Sequence, residues 1–500
     1  MARRRKTSDA VWTGRVLAVL LAAVILRLGF NALELVPVHF DEAQYWTYGL
    51  SPDWGYYSKP PLTAWLIALV TGLAGETGFV LRLPVPLIHL WIGWLIYVIA
   101  RRLFDARTGF WAATGYGLAP GVTVSSALMT TDPPMMLGWA LALYALIRAL
   151  TAKRRRKDPE PLGWWIVLGL ALGAGTLAKY TALVFAGGGI GYALLSRQGA
   201  LRWKGALAAA LAWLAVMAPH LVWLAQNGFV SVAHLAENAD QGLGLTPERL
   251  PEFLLTQAGV IGPVFFIALG WLFWRRAAWR GDWRVRLLVW LSAPLILAMC
   301  VQAVRGGANA NWAAPSYIAG AILAAHWLLA RGWLRGLKLQ LATGIIAAVL
   351  IWGAAGVYAI WGTGLPRAPD PFKKMRVSGP LCERVLTGME EAGADMLLSP
   401  DRRRLAECAW MGGLDIAQIR VWNPAGQITN HYEMVASLAD AETGAMIFFT
   451  VRGDGSEVAA RFAEAELLDR GHIDTHSDWG FDYAIWRVEG FRGYRAVPDG

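Results

Sequence analysis

Three side chains suited to acid–base or phosphate chemistry occur in the segment HFDEAQYWTYGLSPDWGYYSKPPLTAW, residues 39–65. Asp41 and Glu42 could accept a proton from an attacking hydroxyl group, whereas Lys59 could bind a phosphate as a point charge. The two prolines after Lys59 hold the lysine extended, so its side chain has a defined direction. Two alternatives stay open, namely a solvated loop for the acids and a lysine that snorkels at a helix end.

Three further charged residues stand at the ends of apolar runs. Asp132 is the one charge in MTTDPPM, Lys179 lies in TLAKYTAL, and Arg305 lies in VRGGANANW. An Asp before Pro-Pro is also a common helix N-cap, and the two roles can coexist. We expect Asp132 at the same membrane face as Asp41, with Lys179 and Arg305 assisting in phosphate binding.

Carboxylates and cations at one membrane surface favour transfer from a lipid phosphate, because a carboxylate accepts the proton and the cations stabilise the departing phosphate. Lysine and arginine can neutralise a monophosphate, so no cofactor is required; a divalent metal stays open, although no Cys-x-x-Cys or His-Glu-x-x-His motif is present. The aromatic residues near Asp41 are expected to hold the loop at the membrane interface and to contact substrate. The substrate-binding candidates are His39, Tyr45, Tyr56 and Tyr57, with Trp46 and Trp54 as further interface residues.

The composition indicates a polytopic membrane protein, since 56% of the 500 residues are hydrophobic and 16% are charged. The net charge of +10 could suggest a nucleic-acid partner. Residues 1–361, however, hold 31 Lys and Arg against 15 Asp and Glu, whereas residues 362–500 hold 15 against 21. The basic excess therefore lies in short loops between apolar runs, which is typical of membrane topology and argues against nucleic-acid binding.

A membrane-spanning helix needs about 20 apolar residues. Eleven candidate spans centre on residues 12–36, 84–100, 108–128, 134–150, 162–178, 181–195, 204–224, 253–274, 285–303, 313–330 and 339–361. Residues 62–75 are apolar but only about two-thirds of a span long, and a crossing there would separate Asp41 from Asp132. We therefore predict an interfacial or re-entrant helix at 62–75.

Lysines and arginines in the short loops predict the orientation of these spans. With a cytoplasmic N-terminus, the inner loops hold 23 basic residues and the outer loops hold five, namely Lys59, Arg82, Lys179, Arg249 and Arg305. MARRRK precedes a long apolar run without a small-residue cleavage site, which indicates an uncleaved first span. The loop at 38–83 and residue 500 are then expected outside, and the loop at 153–157 in the cytoplasm.

The tail differs from the rest of the chain. Residues 362–500 are acidic and alternate short β-type runs with helical runs, as in MLLSPDRRRLAECAWMGG and AMIFFTV. The sequence thus predicts a membrane domain at 1–361 and a small α/β domain at 362–500. Cys382 and Cys408 could form a disulfide if the tail faces an oxidising compartment.

Several of these motifs resemble those of a known family. FDEAQYW…WGYYSKPPLTAWL, the Asp-Pro pair at 132–133 and NWAAPSY are similar to motifs of GT-C glycosyltransferases of the family-39 protein mannosyltransferase type, and among them to bacterial lipid A aminoarabinose transferases. The similarity covers residues 1–361 in architecture and about three motifs. It implies a polytopic α-helical fold of about eleven spans, here followed by the small α/β domain.

By this resemblance, Asp41 corresponds to the first-loop catalytic Asp with Glu42 as its neighbour, Asp132 to the second-loop Asp, and Lys59 to the lysine near the lipid phosphate. The resemblance implies an inverting transfer of a sugar from a polyprenyl-phosphate donor to a periplasmic acceptor, such as lipid A or lipopolysaccharide core, in the bacterial inner membrane. Ser58 stands where aminoarabinose transferases commonly have Glu, which favours a neutral sugar or a uronic acid as the donor sugar and speaks against a metal.

Two other classes of protein are compatible with a polytopic chain. A lipid or sugar transporter would place ionisable residues near the bilayer midplane, yet no predicted span centre carries Asp or Glu. A receptor or scaffold would not need so polar and aromatic an outer loop. We also expect the tail to shape acceptor choice, with NHYEMV at 430–435 as a candidate contact; a loop that enters a strand is the simpler alternative.

Overall fold

The computed structural model describes residues 2–152, 162–195, 202–239, 244–275, 281–439 and 442–494, so the basic loop expected at 153–157 lies outside it. Helices make up most of the chain up to Trp361. They are α1 (Ala2–Ala32), α2 (Phe40–Leu50), α3 (Leu62–Ala74), α4 (Gly78–Arg82), α5 (Pro84–Leu103), α6 (Ala106–Gly117), α7 (Pro120–Ser125), α8 (Asp132–Thr151), α9 (Leu162–Ala178), α10 (Val184–Leu195), α11 (Trp203–Gln226), α12 (Val230–Ala239), α13 (Arg249–Ile261), α14 (Pro263–Trp274), α15 (Trp283–Trp290), α16 (Ala293–Arg305), α17 (Ser316–Ala330) and α18 (Leu334–Trp361).

Six helical stretches of the described chain are long and apolar enough to cross a bilayer: Asp9–Ala32, Gly78–Leu103, Asp132–Thr151, Trp203–Gln226, Trp283–Arg305 and Leu334–Gly364. Helices α13 and α14 form a further candidate with a bend of 120° between them. The bend falls at Gly262, whose positive φ suits glycine, before a proline that has no N–H to donate. Other expected spans contain shorter helices, such as α6 and α7 within 108–128, so the number of eleven stays a prediction.

Helix α3 coincides with the segment that the sequence predicts not to cross the membrane. Its 13 residues extend over about 20 Å at the helical rise, which is shorter than the hydrocarbon core of about 30 Å. The length agrees with a helix that does not span. Its location at the membrane interface stays a prediction.

The tail contains a five-stranded mixed sheet in the order β2-β1-β3-β5-β4. Its strands are β1 (Met396–Ser399), β2 (Ile419–Val421), β3 (Met446–Thr450), β4 (Phe462–His476) and β5 (Trp479–Phe491), and its helices are α19 (Ser378–Glu391), α20 (Arg402–Gly412), α21 (His431–Val435) and α22 (Ser456–Ala459). Strand β1 pairs in parallel with β2 and β3, while β5 pairs antiparallel with β3 and β4. The expected α/β domain is therefore confirmed.

Apolar runs form the centre of this sheet, as expected for strands covered on both faces. Leu397 of β1 lies in register with Ile419 of β2 and Ile447 of β3, and all three are fully buried. The Ala- and Glu-rich run EVAARFAEAELLDRG has the composition of a helix but mostly forms edge strand β4. Pairing with β5 along the antiparallel ladder overrides the local propensity there.

Helices α19 and α20 pack against each other and against the sheet. A disulfide between Cys382 of α19 and Cys408 of α20 joins them, with both residues fully buried. This is the pair that the sequence allowed. The bond fixes α20 to α19. This is important because α20 also packs on α2, the helix that carries Asp41.

The chain divides into two compact units. The first, called the membrane unit, comprises Met1–Phe30, Lys59–Thr63 and Arg82–Leu350. The second, called the loop–tail unit, comprises Asn31–Ser58, Ala64–Leu81 and Ile351–Gly500. The first outer loop thus groups with the tail, although residues 82–350 lie between them in sequence. The domain boundary expected at 361 stays a prediction.

Candidate active site

Helix α2 of the loop–tail unit carries the adjacent acids, and a capping box fixes its start. His39 is the N-cap residue, and its Nδ1 accepts a hydrogen bond from the N–H of Asp41 over 3.2 Å. In return, the N–H of His39 donates to Oε2 of Glu42 over 2.9 Å. These reciprocal bonds satisfy backbone N–H groups that would otherwise lack partners in the first turn.

The two acids therefore have different environments. Glu42 is fully buried and serves the cap, whereas the side chain of Asp41 is 35% exposed. The carboxylate of Asp41 lies in the first turn of a helix, where the dipole stabilises negative charge, and 3.7 Å from Nδ1 of His39. Asp41 is thus the acid of this pair that can reach a substrate. A catalytic role for either residue stays a prediction.

Three rings pack together beside α2. Tyr48 stacks on Tyr56 with ring centroids 4.5 Å apart, and the imidazole of His431 from the tail meets Tyr48 edge-on at 4.4 Å. Burial lowers the pKa of His431 to about 4, so its ring is neutral at pH 7. Its Nδ1 has no hydrogen-bond partner in the part of the chain that the structure describes.

The hydroxyl group of Tyr48 joins two parts of the first outer loop. It accepts a hydrogen bond from Nε2 of Gln44 and is also hydrogen-bonded to the side chain of Ser58. Burial raises the pKa of Tyr48 well above its usual value, so the phenol stays neutral. These bonds hold Ser58, the last residue of this loop segment in the loop–tail unit, against α2.

The tail packs directly on α2. Trp410 of α20 meets Trp46 edge-on with centroids 5.2 Å apart, and the hydroxyl groups of Thr47 and Tyr432 are 2.6 Å apart. Residues of NHYEMV therefore contact the helix that carries Asp41. The expectation of a loop entering a strand is wrong, because Asn430 caps the short helix α21. A contact with the acceptor stays a prediction.

Burial within the protein corrects the expected location of the loop aromatics. Tyr45, Trp46, Tyr56 and Tyr57 are at most 5% exposed, so they stabilise the loop–tail unit rather than lie against lipid. Only Trp54 among these five is largely exposed, and it packs edge-on against Trp65. Direct substrate contacts of Tyr45, Tyr56 and Tyr57 stay predictions, as does that of His39.

In the membrane unit, the carboxylate of Asp132 is held by two partners. Nζ of Lys179 donates to Oδ1 over 2.7 Å, and Nδ2 of Asn311 donates to Oδ2 over 2.6 Å. Asp132 is the first residue of α8 and not its cap, which is Thr131. The helix-cap interpretation is therefore wrong, and Asp132 instead orients a lysine and an amide.

Small residues allow Lys179 to reach Asp132. Helices α8 and α9 approach so closely that a Cβ on Gly138 would lie 2.7 Å from Cα of Gly175 and 2.8 Å from the carbonyl oxygen of Ala171. Lys179 follows the last turn of α9, and its N–H donates to the carbonyl of Gly175. The helix crossing thus sets the position of the lysine.

Asn311 is a site residue that the sequence analysis did not single out, although NWAAPSY contained it. It lies in a 3₁₀ turn, Ala310–Ala313, whose first carbonyl accepts a hydrogen bond from Nε2 of Gln257. Gln257 in turn accepts from the hydroxyl group of Tyr317 over 2.9 Å. This chain of bonds holds the turn and hence the amide that contacts Asp132.

The remaining predicted cations also belong to the membrane unit. Lys59 is half-buried and precedes α3 by three residues, and Arg305 is the exposed last residue of α16. Arg249 donates from Nη1 to the carbonyl of Gly306, next to Arg305. The structure pairs Lys179 with Asp132; the convergence of Asp41, Asp132 and Lys59 on one cavity stays a prediction.

Metal binding finds no support in the geometry of the described residues. Among them, no three His, Cys, Asp or Glu side chains are grouped so that they could hold an ion. The expectation that no cofactor is required stays a prediction.

Comparisons with known proteins agree on one family. The model of the family described as dolichyl-phosphate-mannose-protein mannosyltransferase matches residues 58–223. The chain is 32% identical over 440 residues to the lipid A galacturonosyltransferase RgtD of Rhizobium johnstonii, which covers 86% of this chain and 90% of that protein. Over 174 residues, it is 32% identical to the undecaprenyl phosphate-alpha-4-amino-4-deoxy-L-arabinose arabinosyl transferase of Pseudomonas aeruginosa, or 31% of each chain.

The fold is similar to that of a solved structure over nearly its whole length. The crystal structure of ArnT from Cupriavidus metallidurans in the apo state superimposes with a TM-score of 0.65 at 15% identity, over 96% of this chain and 98% of that one. A helical membrane region followed by a small sheet domain therefore defines a GT-C type membrane protein. The chain belongs to the family of GT-C glycosyltransferases that includes RgtD, and it is a glycosyltransferase.

Proposed function

We propose that this enzyme transfers a sugar from a polyprenyl-phosphate donor to lipid A or lipopolysaccharide core at the periplasmic face of the inner membrane. A uronic acid is the donor sugar that we favour. RgtD is by name a lipid A galacturonosyltransferase, and Ser58 leaves the chain without the carboxylate that aminoarabinose transferases commonly place there. That carboxylate could have bound a cationic amino sugar.

The different environments of Asp41 and Glu42 are the observation that carries the proposal. A buried cap at Glu42 and a partly exposed carboxylate at Asp41 provide one acid at a fixed position that can reach an acceptor hydroxyl. Asp41 takes the proton of that hydroxyl as its oxygen attacks the anomeric carbon from the side opposite the phosphate. The carbon–oxygen bond to the polyprenyl phosphate breaks, so configuration inverts and polyprenyl phosphate leaves.

Cations of the membrane unit receive the departing phosphate in this proposal. Lys59, half-buried and followed by two prolines, is the principal one. Asp132, whose carboxylate also accepts from Asn311, holds Lys179 in place, and an ammonium group that gives one of its three N–H donors to Asp132 keeps two for a phosphate. Arg305 contributes from the end of α16. No metal is part of this mechanism.

The periplasmic orientation is supported by two independent features. The inner loops expected from the sequence hold 23 basic residues against five in the outer loops. The disulfide between Cys382 and Cys408 requires an oxidising compartment, such as the periplasm. Both features support the proposal that the loop–tail unit, and Asp41 with it, lies outside the cytoplasm.

Mass spectrometry tests the proposal. Lipid A and core oligosaccharide from cells with and without the gene are compared, and the purified enzyme is then incubated with polyprenyl-phosphate galacturonic acid and lipid A. We expect a mass increment of one uronic acid and release of polyprenyl phosphate. Transport of the donor across proteoliposomes without any transfer would instead support the alternative, a lipid or sugar flippase.

A further inference from the structure

Two arginines at the start of α20 lie on the tail beside the helix that carries Asp41. The carboxylate of Asp401 caps α20 by accepting the N–H groups of Arg403 and Arg404 over 2.9 and 3.5 Å. The first turn of α20 is thereby fixed. The side chains of Arg402 and Arg403 extend from this ordered turn.

Packing of α20 on α2 brings these arginines to the start of α2. The guanidinium carbon of Arg403 lies 4.7 Å from the ring centroid of Phe40, the residue immediately before Asp41. Further along both helices, Trp410 contacts Trp46. The two helices therefore pack along their lengths. Arg403 lies at the first turn of α2, which contains Asp41.

This pair of arginines has no carboxylate partner among the residues that the structure describes. Nη1 of Arg404, the third arginine of the run, donates to Oε2 of Glu407. For Arg402 and Arg403, the structure gives no ion pair with a carboxylate of the described residues. The carboxylate of Asp401 is engaged with the backbone of the first turn. Arg403 is exposed and Arg402 is half-buried, so both can reach a ligand.

The charge of Arg402 acts on Tyr48 of α2 and on Tyr432 of α21. Arg402 opposes the rise in the pKa of both Tyr48 and Tyr432, which is caused mainly by burial. Asp41 acts on Tyr48 in the opposite sense. Arg402 and Asp41 are therefore both close enough to Tyr48 to affect the same hydroxyl group.

We propose that Arg402 and Arg403 bind an anionic group of the acceptor, a phosphate or a sugar-acid carboxylate, and so hold the acceptor hydroxyl against Asp41. This inference rests on the proposed function and names the acceptor subsite. The planar fork of an arginine binds such groups in a bidentate manner, which fixes orientation as well as distance. The acceptor is the substrate concerned, because a general base contacts the attacking hydroxyl group and Arg403 lies against Phe40, the residue before Asp41.

The test compares acceptors that differ only in charge. The purified enzyme receives a glycolipid with phosphate groups, one with a sugar-acid carboxylate, or a neutral one, at saturating donor. Arg402→Ala and Arg403→Ala should each raise the KM for an anionic acceptor by about 10- to 100-fold, because a hydrogen bond to a charged group is lost. The KM for the donor and the KM for the neutral acceptor should change little. Comparison of the phosphate-bearing glycolipid with the carboxylate-bearing one shows which anionic group the arginines bind.

Three controls separate binding from folding. Arg402→Lys and Arg403→Lys keep the charge but not the fork, so partial rescue is expected. Arg470→Ala removes an exposed arginine of β4, an edge strand that β3 and β5 separate from β1, and it should leave all KM values unchanged. The midpoint of thermal unfolding shows whether a variant is folded.

Two results would overturn the proposal: unchanged acceptor KM in folded Arg402→Ala and Arg403→Ala variants, or an equal loss with the neutral glycolipid. If the wild-type enzyme transfers no sugar, the proposed function fails, and direct binding of the phosphate-bearing glycolipid to the detergent-solubilised enzyme still tests the arginines. If the wild-type enzyme and the Arg402→Ala variant bind the phosphate-bearing glycolipid with equal affinity, the proposed role of the arginines is refuted.

Discussion

Nζ of Lys179 lies 2.7 Å from Oδ1 of Asp132, and both side chains are largely buried. Removal of one partner of such a pair leaves the other charge without its counterion. We expect Asp132→Asn to cost about 3 kcal/mol of stability and to lower the midpoint of thermal unfolding in detergent. The double variant Asp132→Asn with Lys179→Met should be more stable than Asp132→Asn alone. A single variant that unfolds like the wild type would show that the pair contributes no stability.

Asp41→Asn should abolish transfer without loss of donor binding. The amide keeps the shape and hydrogen bonding of the side chain but cannot take a proton, and loss of a general base typically costs about 10²- to 10⁴-fold in turnover. Single-turnover kinetics with bound donor measures this loss.

Glu42→Gln is the matched control for Asp41→Asn. It should weaken the capping box by about 1 kcal/mol and leave turnover within a few-fold of wild type. If Glu42→Gln is the variant that loses turnover, the two roles are reversed. A product that retains the anomeric configuration of the donor would contradict direct displacement.

Lys59→Ala should raise the KM for the donor with little effect on folding, because a partly exposed lysine contributes little stability. Lys59→Arg should rescue part of the donor affinity. Lys338→Ala, on the exposed side of α18, is the control with the same charge change. Full turnover of Lys59→Ala at limiting donor would mean that the lysine only snorkels.

Reduction of the bond between Cys382 and Cys408 should destabilise the tail by about 3.5 kcal/mol, the value expected for a closed loop of this length. The variant with Ser at both positions should show the same lower midpoint without reductant. A reporter fused after the tail should be active in the periplasm. Free thiols at both positions in protein from growing cells, or a cytoplasmic reporter signal, would contradict the proposed orientation.

Stability should fall as pH rises because of Glu407. Burial raises the pKa of this carboxyl to about 8, and Arg404 opposes the rise. The folded protein therefore holds the proton more tightly than the unfolded chain, whose Glu pKa is about 4.3. The resulting stabilisation is complete below about pH 4 and is lost as pH approaches 8. Glu407→Gln should flatten this decline in thermal midpoint, whereas Glu391→Gln, an exposed residue of α19, should not.

The sequence was sufficient to select the candidate residues of the first loop. It identified the acids, the lysine before two prolines and the pair of cysteines, because each depends on residue type and local spacing. It could not separate Asp41 from Glu42, since the difference arises from the reciprocal bonds of Glu42 with His39. Adjacent acids are alike in sequence. They differ here because the helix starts after His39, which places Glu42, and not Asp41, where its carboxylate can accept the N–H of the cap residue.

Long-range packing accounts for what sequence reasoning missed. The aromatics of the loop were expected at lipid, but residues more than 350 positions later cover them, as with Trp46 and Trp410. Asn311 reaches Asp132 across 179 positions, and no local pattern distinguishes an amide that binds a carboxylate from one in a solvated turn. Helix lengths were overestimated where a proline or glycine breaks an apolar run, as at Gly262.

The grouping of the first outer loop with the tail has a consequence for biosynthesis. Helix α2 leaves the ribosome among the first fifty residues, whereas its partners Trp410 and Tyr432 are made near the end. Folding proceeds largely in the order of synthesis, so the helix that carries Asp41 must wait for most of the chain before it is packed. A product of interrupted translation would insert its early helices and still hold Asp41 on an unsupported segment. In the proposed mechanism, a new molecule therefore becomes active only after the tail is complete.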